Sequence, residues 1–399
     1  MTKPIQKILF GSPGTGKSHQ IKNDIAPRLG IEVSSENYIP TVFHPEYTYG
    51  DFMGKLMPFT NDSGKVEYLF YRGHFLKALA QAYKNILLSY IELDENKDKV
   101  TEEYKKEINK TAIKSFSTQE SIELDNRKDT VQRKEPKNIL LVIDEINRGN
   151  SAAIFGTVFQ LLDRENNGWS TYPISISELE FKGLLQEMSF KFITYEKEKK
   201  MQEEYYFNSK DVSKIQYEEY QSLIFEEIGE SNLAKEKKIK IPSNLSIVAT
   251  MNTSDNSIYF MDSAFKRRWD WEFIEIEDIN QRNLLKGVQI LLNSGTKYHW
   301  CTFIDRLNDF IKSNYDKIRK IEDKQVGYRF INEVEISEEK IKNKLMFFVW
   351  DSIFSTNKDP LTKLLFGDTS VESKRKVVTF GDFSKMTETF ILKIMSNSF

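Results

Sequence analysis

The chain has 399 residues, enough for two or three domains, and its 57 basic and 59 acidic side chains leave a net charge of −2. That balance excludes a nucleic-acid coat protein or a polybasic membrane binder, and a single cysteine, Cys301, excludes disulfides and cysteine-rich zinc sites. With no signal peptide, a densest apolar run of only residues 345–350, and 28 Phe with 18 Tyr, a packed, soluble, cytoplasmic protein without a membrane partner is expected.

In chain order, residues 5–10 (IQKILF) predict a strand running into GSPGTGKS. A helix follows from Lys17 to Ala26, with Pro27 as its stop. Residues 38–45 read as a second strand. From His74 the apolar positions Phe75, Leu79, Tyr83, Ile86 and Tyr90 keep a helical period. Residues 94–137 are charged and poor in core residues, and read as a solvated helical insert or a mobile loop. Residues 138–143 (NILLVI) form a continuous apolar run, as a parallel strand buried on both faces requires. A helix carrying Ile154, Phe155, Val158, Leu161 and Leu162 comes next, then a second insert over 173–240, rich in Glu, Lys and Tyr. Strands at 245–251 and 271–276 flank a short helix, and beyond residue 278 the pattern is helical, over 279–293, 301–320, 337–356 and 384–397. Strands alternating with helices predict an α/β domain over 1–277 with a parallel five-stranded sheet sandwiched by helices, followed by an α-helical domain over 278–399.

Residues 11–18 fit G-x-x-x-x-G-K-[ST] between a strand and a helix, the context that motif needs. Gly11, Gly14 and Gly16 let the backbone curl so that successive N–H groups face phosphate oxygens. Lys17 is placed to reach the β- and γ-phosphates and Ser18 to ligate Mg²⁺, with Pro13, Thr15 and His19 as further nucleotide-binding candidates. Asp144 and Glu145 end the apolar run at the carboxyl edge of its strand, where ligands bind in open α/β sheets. Asp144 is the candidate to hold Mg²⁺ through its water shell, and Glu145 the base that polarises the attacking water. Asn252, at the tip of another apolar strand, is positioned as a second hydrogen-bonding group near that water. Arg267 and Arg268 lie too far along the chain to fold back on the same nucleotide. Preceding a strand, such an arginine is either placed to reach a neighbouring subunit's γ-phosphate, a contribution of roughly 10³–10⁵ in rate that requires a shared, oligomeric active site, or part of a salt-bridged surface pair.

With these motifs in this order the chain resembles the AAA+ superfamily. DEINRGN (144–150), FHPEYTYGDFMGKLMP (43–58), IPSNLSIVATMNTSDNSI (241–258) and MDSAFKRRW (261–269) together resemble the McrB family, motor subunits of modification-dependent restriction systems. The resemblance implies a ring, expected to be a hexamer, that hydrolyses GTP by preference, with ATP possible, and couples hydrolysis to DNA translocation. It also implies a role for Asp255 beside Asn252, and a C-terminal helical lid, which residues 349–367 match. Arg148 is either an intersubunit contact or a helix-start salt bridge. KQVGYRF (324–330) lies where a lid-borne sensor falls, which makes Arg329 a candidate to touch the γ-phosphate in cis, although the family more often shows GHxYF there. Trp269 stands where the family more often has phenylalanine. The glycine-rich loop begins at residue 11, so target reading is expected in the inserts or in a partner. The E-x-K triplet in ELEFK (178–182) is of a kind expected by chance in so charged a chain, so DNA cutting is assigned to a separate McrC-like nuclease subunit. The alternatives are a MoxR-like ATPase chaperone acting on a protein partner, and a regulatory subunit that turns over slowly.

Overall fold

The structure is a computed structural model and describes residues 3–91, 135–197, 200–207, 215–216, 237–252, 259–276, 279–367, 376–397 and 399. Most of the first expected insert, and Asp255, lie outside the described residues.

β1 (Gln6–Gly11), β2 (Tyr38–Val42) and β5 (Ile139–Asp144) belong, with the strands Leu245–Asn252 and Asp270–Phe273, to one five-stranded parallel sheet flanked by helices, compatible with a P-loop NTPase. The order is Asp270–Phe273, β1, Leu245–Asn252, β5, β2. Ile139 to Ile143 are buried because a run of Ile, Leu, Leu, Val and Ile has no polar face to turn to solvent. The helix His74–Ile91 packs Phe75, Leu79, Tyr83 and Ile86 inward and lies against β2 and β5. After β5, Ser151–Phe155 is helical and tightens into a 3₁₀ turn over Gly156–Leu162, and all five apolar side chains expected on its inner face are buried.

Pro27 does not stop the first helix. The run from Lys17 passes through a π segment at Ile21–Ile25 and ends at Arg28, one residue beyond Pro27, which sits in the first turn of the closing segment Ala26–Arg28, where a missing N–H is tolerated. Two strands not anticipated from the sequence, β3 (Gly54–Thr60) and β4 (Val66–Arg72), pair as an antiparallel hairpin. The second expected insert holds a helix, Glu178–Glu187, and a further hairpin, Phe190–Lys197 with Lys200–Phe207.

The chain clusters into two compact units, one of residues 1–8, 21–249 and 258–270, the other of residues 9–20, 250–257 and 271–399. The second is not helical throughout. Gln289–Leu291 pairs antiparallel with Lys297–His299 and parallel with Glu335–Ser337. Val288, Ile290 and Leu292 alternate inward, and Gly295, at φ +86°, closes the turn. Its core gathers around the helix Trp300–Ser313, whose Trp300, Phe303, Ile304 and Leu307 are fully buried.

In the first unit Arg164 ties separate elements together. Its guanidinium donates to Gln6 Oε1 at 2.8 Å, to the Leu245 carbonyl at 2.8 Å and to the Gly168 carbonyl at 3.1 Å, and burial pulls its pKa down to about 9. Arg164→Ala orphans these acceptors, at about 1–3 kcal/mol for each buried group left unpaired. Unfolding in urea is expected to show a stability loss of at least about 2 kcal/mol; a loss within error would show that these bonds contribute nothing.

Candidate functional site

The glycine-rich loop takes the shape that its glycines permit. Gly14 and Gly16 sit at φ +78° and +88°, in the left-handed region that side-chain-bearing residues avoid. Lys17 is buried, and its Nζ donates to the carbonyls of Gly11 and Ser12, each at 2.9 Å. The Thr15 hydroxyl donates to the Ser12 carbonyl at 3.0 Å. Ser18 and His19, at the start of the helix, are exposed.

A segment far away in sequence lies directly on this loop. The Gly327 N–H donates to the Pro13 carbonyl at 2.9 Å, and the Arg329 N–H to the Gly14 carbonyl at 2.8 Å. A Cβ added at Gly14 would stand 2.7 Å from Phe330 N, and one at Gly327 would stand 2.3 Å from the Gly14 carbonyl carbon. In a trans peptide the C=O and N–H point in opposite directions. Fixing the Pro13 and Gly14 carbonyls therefore aims the amides of Gly14 and Thr15 away from the strap formed by residues 326–330.

The helix Trp300–Ser313 holds that strap. Asn308 takes both backbone groups of Val326, at 2.8 and 2.9 Å, Trp300 Nε1 donates to the Tyr328 carbonyl at 2.6 Å, and the Tyr328 hydroxyl donates to Asp305 at 2.5 Å. Arg282 pairs with the same carboxylate at 2.9 Å. Arg329 is half-buried with no hydrogen bond at Nε among the described residues, and burial lowers its pKa. Partial desolvation, and then the Arg329 charge, hold the His19 imidazole below its ordinary value. The loop, His19 and Arg329 thus belong to one unit, as does the half-buried Asn252 that ends its strand.

Asp144, Glu145 and the arginine pair belong to the other unit. Asp144 ends β5 half-buried, its backbone carbonyl accepting from Phe43 N at 2.9 Å. Glu145 takes φ +55°. For a residue with a side chain this is a sparsely populated conformation, of the kind that collects at functional sites. It starts a turn closed by Arg148 N on the Glu145 carbonyl at 2.9 Å. The helix Ser263–Lys266 is capped by Asp262, which accepts from Phe265 N at 2.6 Å.

The two arginines after this helix differ. Arg268 donates to Asp163 Oδ2 through Nε at 3.0 Å and Nη2 at 2.6 Å, and through Nη1 to the Ala264 carbonyl at 2.8 Å. Its guanidinium carbon lies 3.9 Å from the centroid of the Phe159 ring, and its side chain is 8% exposed. Arg267 is exposed, with no side-chain partner among the described residues.

Sequence reading missed the strap's backbone contact with the loop and the left-handed Glu145. Gly327 was the visible signal for the first, as a glycine standing where a backbone must come close.

No protein-family model matches the sequence. The chain is similar to the Type II restriction enzyme BsuMI component YdiS of Bacillus subtilis (strain 168), at 27% identity over 89% of this chain and 80% of the relative.

Gly327→Ala is expected to push the strap off the loop, seen as a lower Tm and faster hydrogen exchange at the Arg329 amide, which donates to the Gly14 carbonyl. Gly287→Ala, whose new methyl meets nothing within 4 Å, is the control. Equal exchange in the two variants would mean that the contact constrains nothing.

Proposed function

We propose that the protein is the motor subunit of a restriction system: an AAA+ nucleoside triphosphatase that uses GTP or ATP with Mg²⁺, assembles as a ring and activates a separate McrC-like nuclease subunit on DNA. The observation that carries the reading is the glycine-rich loop between a parallel strand and a helix, with Lys17 buried at its centre. The similarity to a component of a Type II restriction enzyme supports a place in such a system, and with it a partner subunit.

In this reading the loop amides and Lys17 bind the triphosphate. Glu145 takes the proton of the attacking water, Asn252 orients that water, and Arg329 senses the γ-phosphate in cis. Ser18 and Asp144 offer a hydroxyl and a carboxylate, the hard oxygen donors that Mg²⁺ takes when nucleotide phosphates complete its shell. Bound there, the ion would neutralise phosphate charge. Of the arginine pair, Arg267 is the one able to act on a neighbouring subunit, because all three nitrogens of Arg268 are already committed inside the fold.

Steady-state hydrolysis of GTP and ATP, with and without the product of the adjacent gene, tests the reading. Turnover stimulated by that product supports it, and no turnover under any condition sinks it. Glu145→Gln is expected to bind nucleotide but lose about 10²–10⁴ in rate. Arg267→Ala is expected to lose roughly 10³ in rate at unchanged Tm, whereas Arg268→Ala should lower Tm first. The reverse pattern would exchange the two roles.

A further inference from the structure

Three aromatic rings flank the start of the glycine-rich loop. Phe10 is the residue before Gly11, and its ring centroid lies 5.4 Å from that of Phe273 and 5.7 Å from that of Trp271. Trp271 and Phe273 stand two apart on one strand, so they share a face. The opposite face carries Glu272, which accepts from Gln20 Nε2 at 2.8 Å and so lies toward the helix that follows the loop. Phe10 and Trp271 are half-buried, whereas Phe273 is 54% exposed. Two rings are thus packed, and the third is packed on one side and open on the other.

The open ring is fixed against the loop. The Ile274 N–H donates to the Phe10 carbonyl at 2.9 Å, which ties the strand end to β1. Gly11 takes φ +148°, and a Cβ added there would stand 2.8 Å from the Ile274 carbonyl oxygen and 3.6 Å from Phe273 Cε2. Only a glycine lets the two backbones come so close. The first residue of the loop therefore sets where the Phe273 ring lies.

The sheet order gives that position a meaning. Asn252 and Phe273 end the two strands on either side of β1. In the function proposed above, the loop amides and Lys17 hold the phosphates at the end of β1, and the γ-phosphate faces Asn252. The ribose and base then lead away from Asn252, across β1, to the side of Phe273. A phenyl ring has no donor or acceptor for a phosphate or a sugar hydroxyl. What it offers is a flat π surface, and the one flat π surface of a nucleoside triphosphate is its base. Rings pair in offset or edge contacts at centroid distances of about 4.5–7 Å, so a base on the open side of Phe273 would extend the series that Trp271 and Phe10 begin.

We propose that Phe273 is the platform on which the purine base of the bound nucleotide stacks, with Phe10 and Trp271 holding it from behind. The proposal rests on the nucleotide site of the function proposed above, and it names the residue that receives the base. Stacking uses the face that every base possesses and reads none of its hydrogen-bonding edge. Phe273 therefore binds guanine and adenine alike and does not choose between them.

The test is titration calorimetry, with Mg²⁺ present, of non-hydrolysable GTP and ATP analogues and of inorganic tripolyphosphate into the full chain. Wild type is compared with Phe273→Leu, which keeps apolar packing on Phe10 but has no π face, and with Phe273→Tyr, which keeps the ring. Phe273→Leu is expected to weaken both nucleotides by the same factor, roughly 5- to 150-fold, at wild-type Tm and wild-type affinity for tripolyphosphate. Phe273→Tyr should bind all three as wild type does. The proposal is overturned if the leucine variant binds both nucleotides as tightly as wild type. It is also overturned if tripolyphosphate weakens by the same factor, since the loop itself has then moved, or if only one nucleotide weakens, since the site then reads an edge. Wild-type nucleotide affinity together with lost binding to the adjacent gene's product overturns it as well, because the ring then belongs to a protein contact. A wild type that binds neither nucleotide sinks the proposed function along with the platform. A wild type that binds both, beside an unaffected leucine variant, sinks the platform alone.

Discussion

One close approach, glycine on glycine, governs the loop on which the proposed chemistry depends. Gly14 and Gly327 meet so tightly that a methyl group on either would overlap the other's backbone or that of Phe330. With both side chains absent, two backbone hydrogen bonds form, from Gly327 to Pro13 and from Arg329 to Gly14. These do more than hold two segments together. Each fixes a peptide plane, and a fixed carbonyl fixes the direction of the amide on the same plane. A loop of three glycines would otherwise sample many conformations, because glycine loses more backbone entropy on ordering than any other residue. The strap offsets part of that cost by making one conformation the bonded one.

The strap has no regular secondary structure to stiffen it beyond a short 3₁₀ turn at Tyr328–Phe330, so its position is borrowed from the helix Trp300–Ser313. Asn308 satisfies both backbone groups of Val326, and Trp300 takes the carbonyl of Tyr328. Burying such side chains is favourable only when their polar atoms are met, and here they are met by backbone that needs fixing. The glycine-rich loop is thereby linked to the helical core through a chain of hydrogen bonds. Arg329 is set by the same backbone, which brings its charge near enough to His19 to lower the imidazole's proton affinity.

Much of the sheet was legible in the sequence because its signals are local. The run Ile139 to Ile143 can only be a strand buried on both faces, and three glycines before a lysine can only be a loop. What escaped depended on distant or competing information. Residues 288–292 read as the end of a helix because five residues are too few to separate a period of 2 from one of 3.6. The turn residues Asn293 to Thr296 were the better guide to the hairpin found there. Pro27 marks a helix end in most contexts, but here it sits in the first turn of a closing segment and the helix runs one residue past it. The hairpin β3–β4 alternates apolar residues on both faces, so it shows neither the one-sided pattern of a sheet surface nor the turn of a helix. Gly327 signals that some backbone comes close, but nothing near it in sequence says that this backbone is the one at Gly14.

The arginine pair shows the limit of motif reading most directly. Arg267 and Arg268 are adjacent and chemically identical, and no sequence rule separates them. At the end of a helical turn, successive side chains point about 100° apart, so only one can follow the apolar residues inward. Arg268 does so, onto the Phe159 ring and into a two-point contact with Asp163, where a guanidinium fits and a lysine would not. The next residue, Trp269, closes the same core against Phe155 and Phe265. Arg268 and Trp269 therefore fix the helix end from inside, and the Asp262 cap fixes it from the front. What this machinery positions is the base of Arg267, whose side chain is left in solvent. The intersubunit role proposed for Arg267 would gain from that arrangement, since its backbone is ordered in advance and only a flexible side chain remains to be ordered on contact.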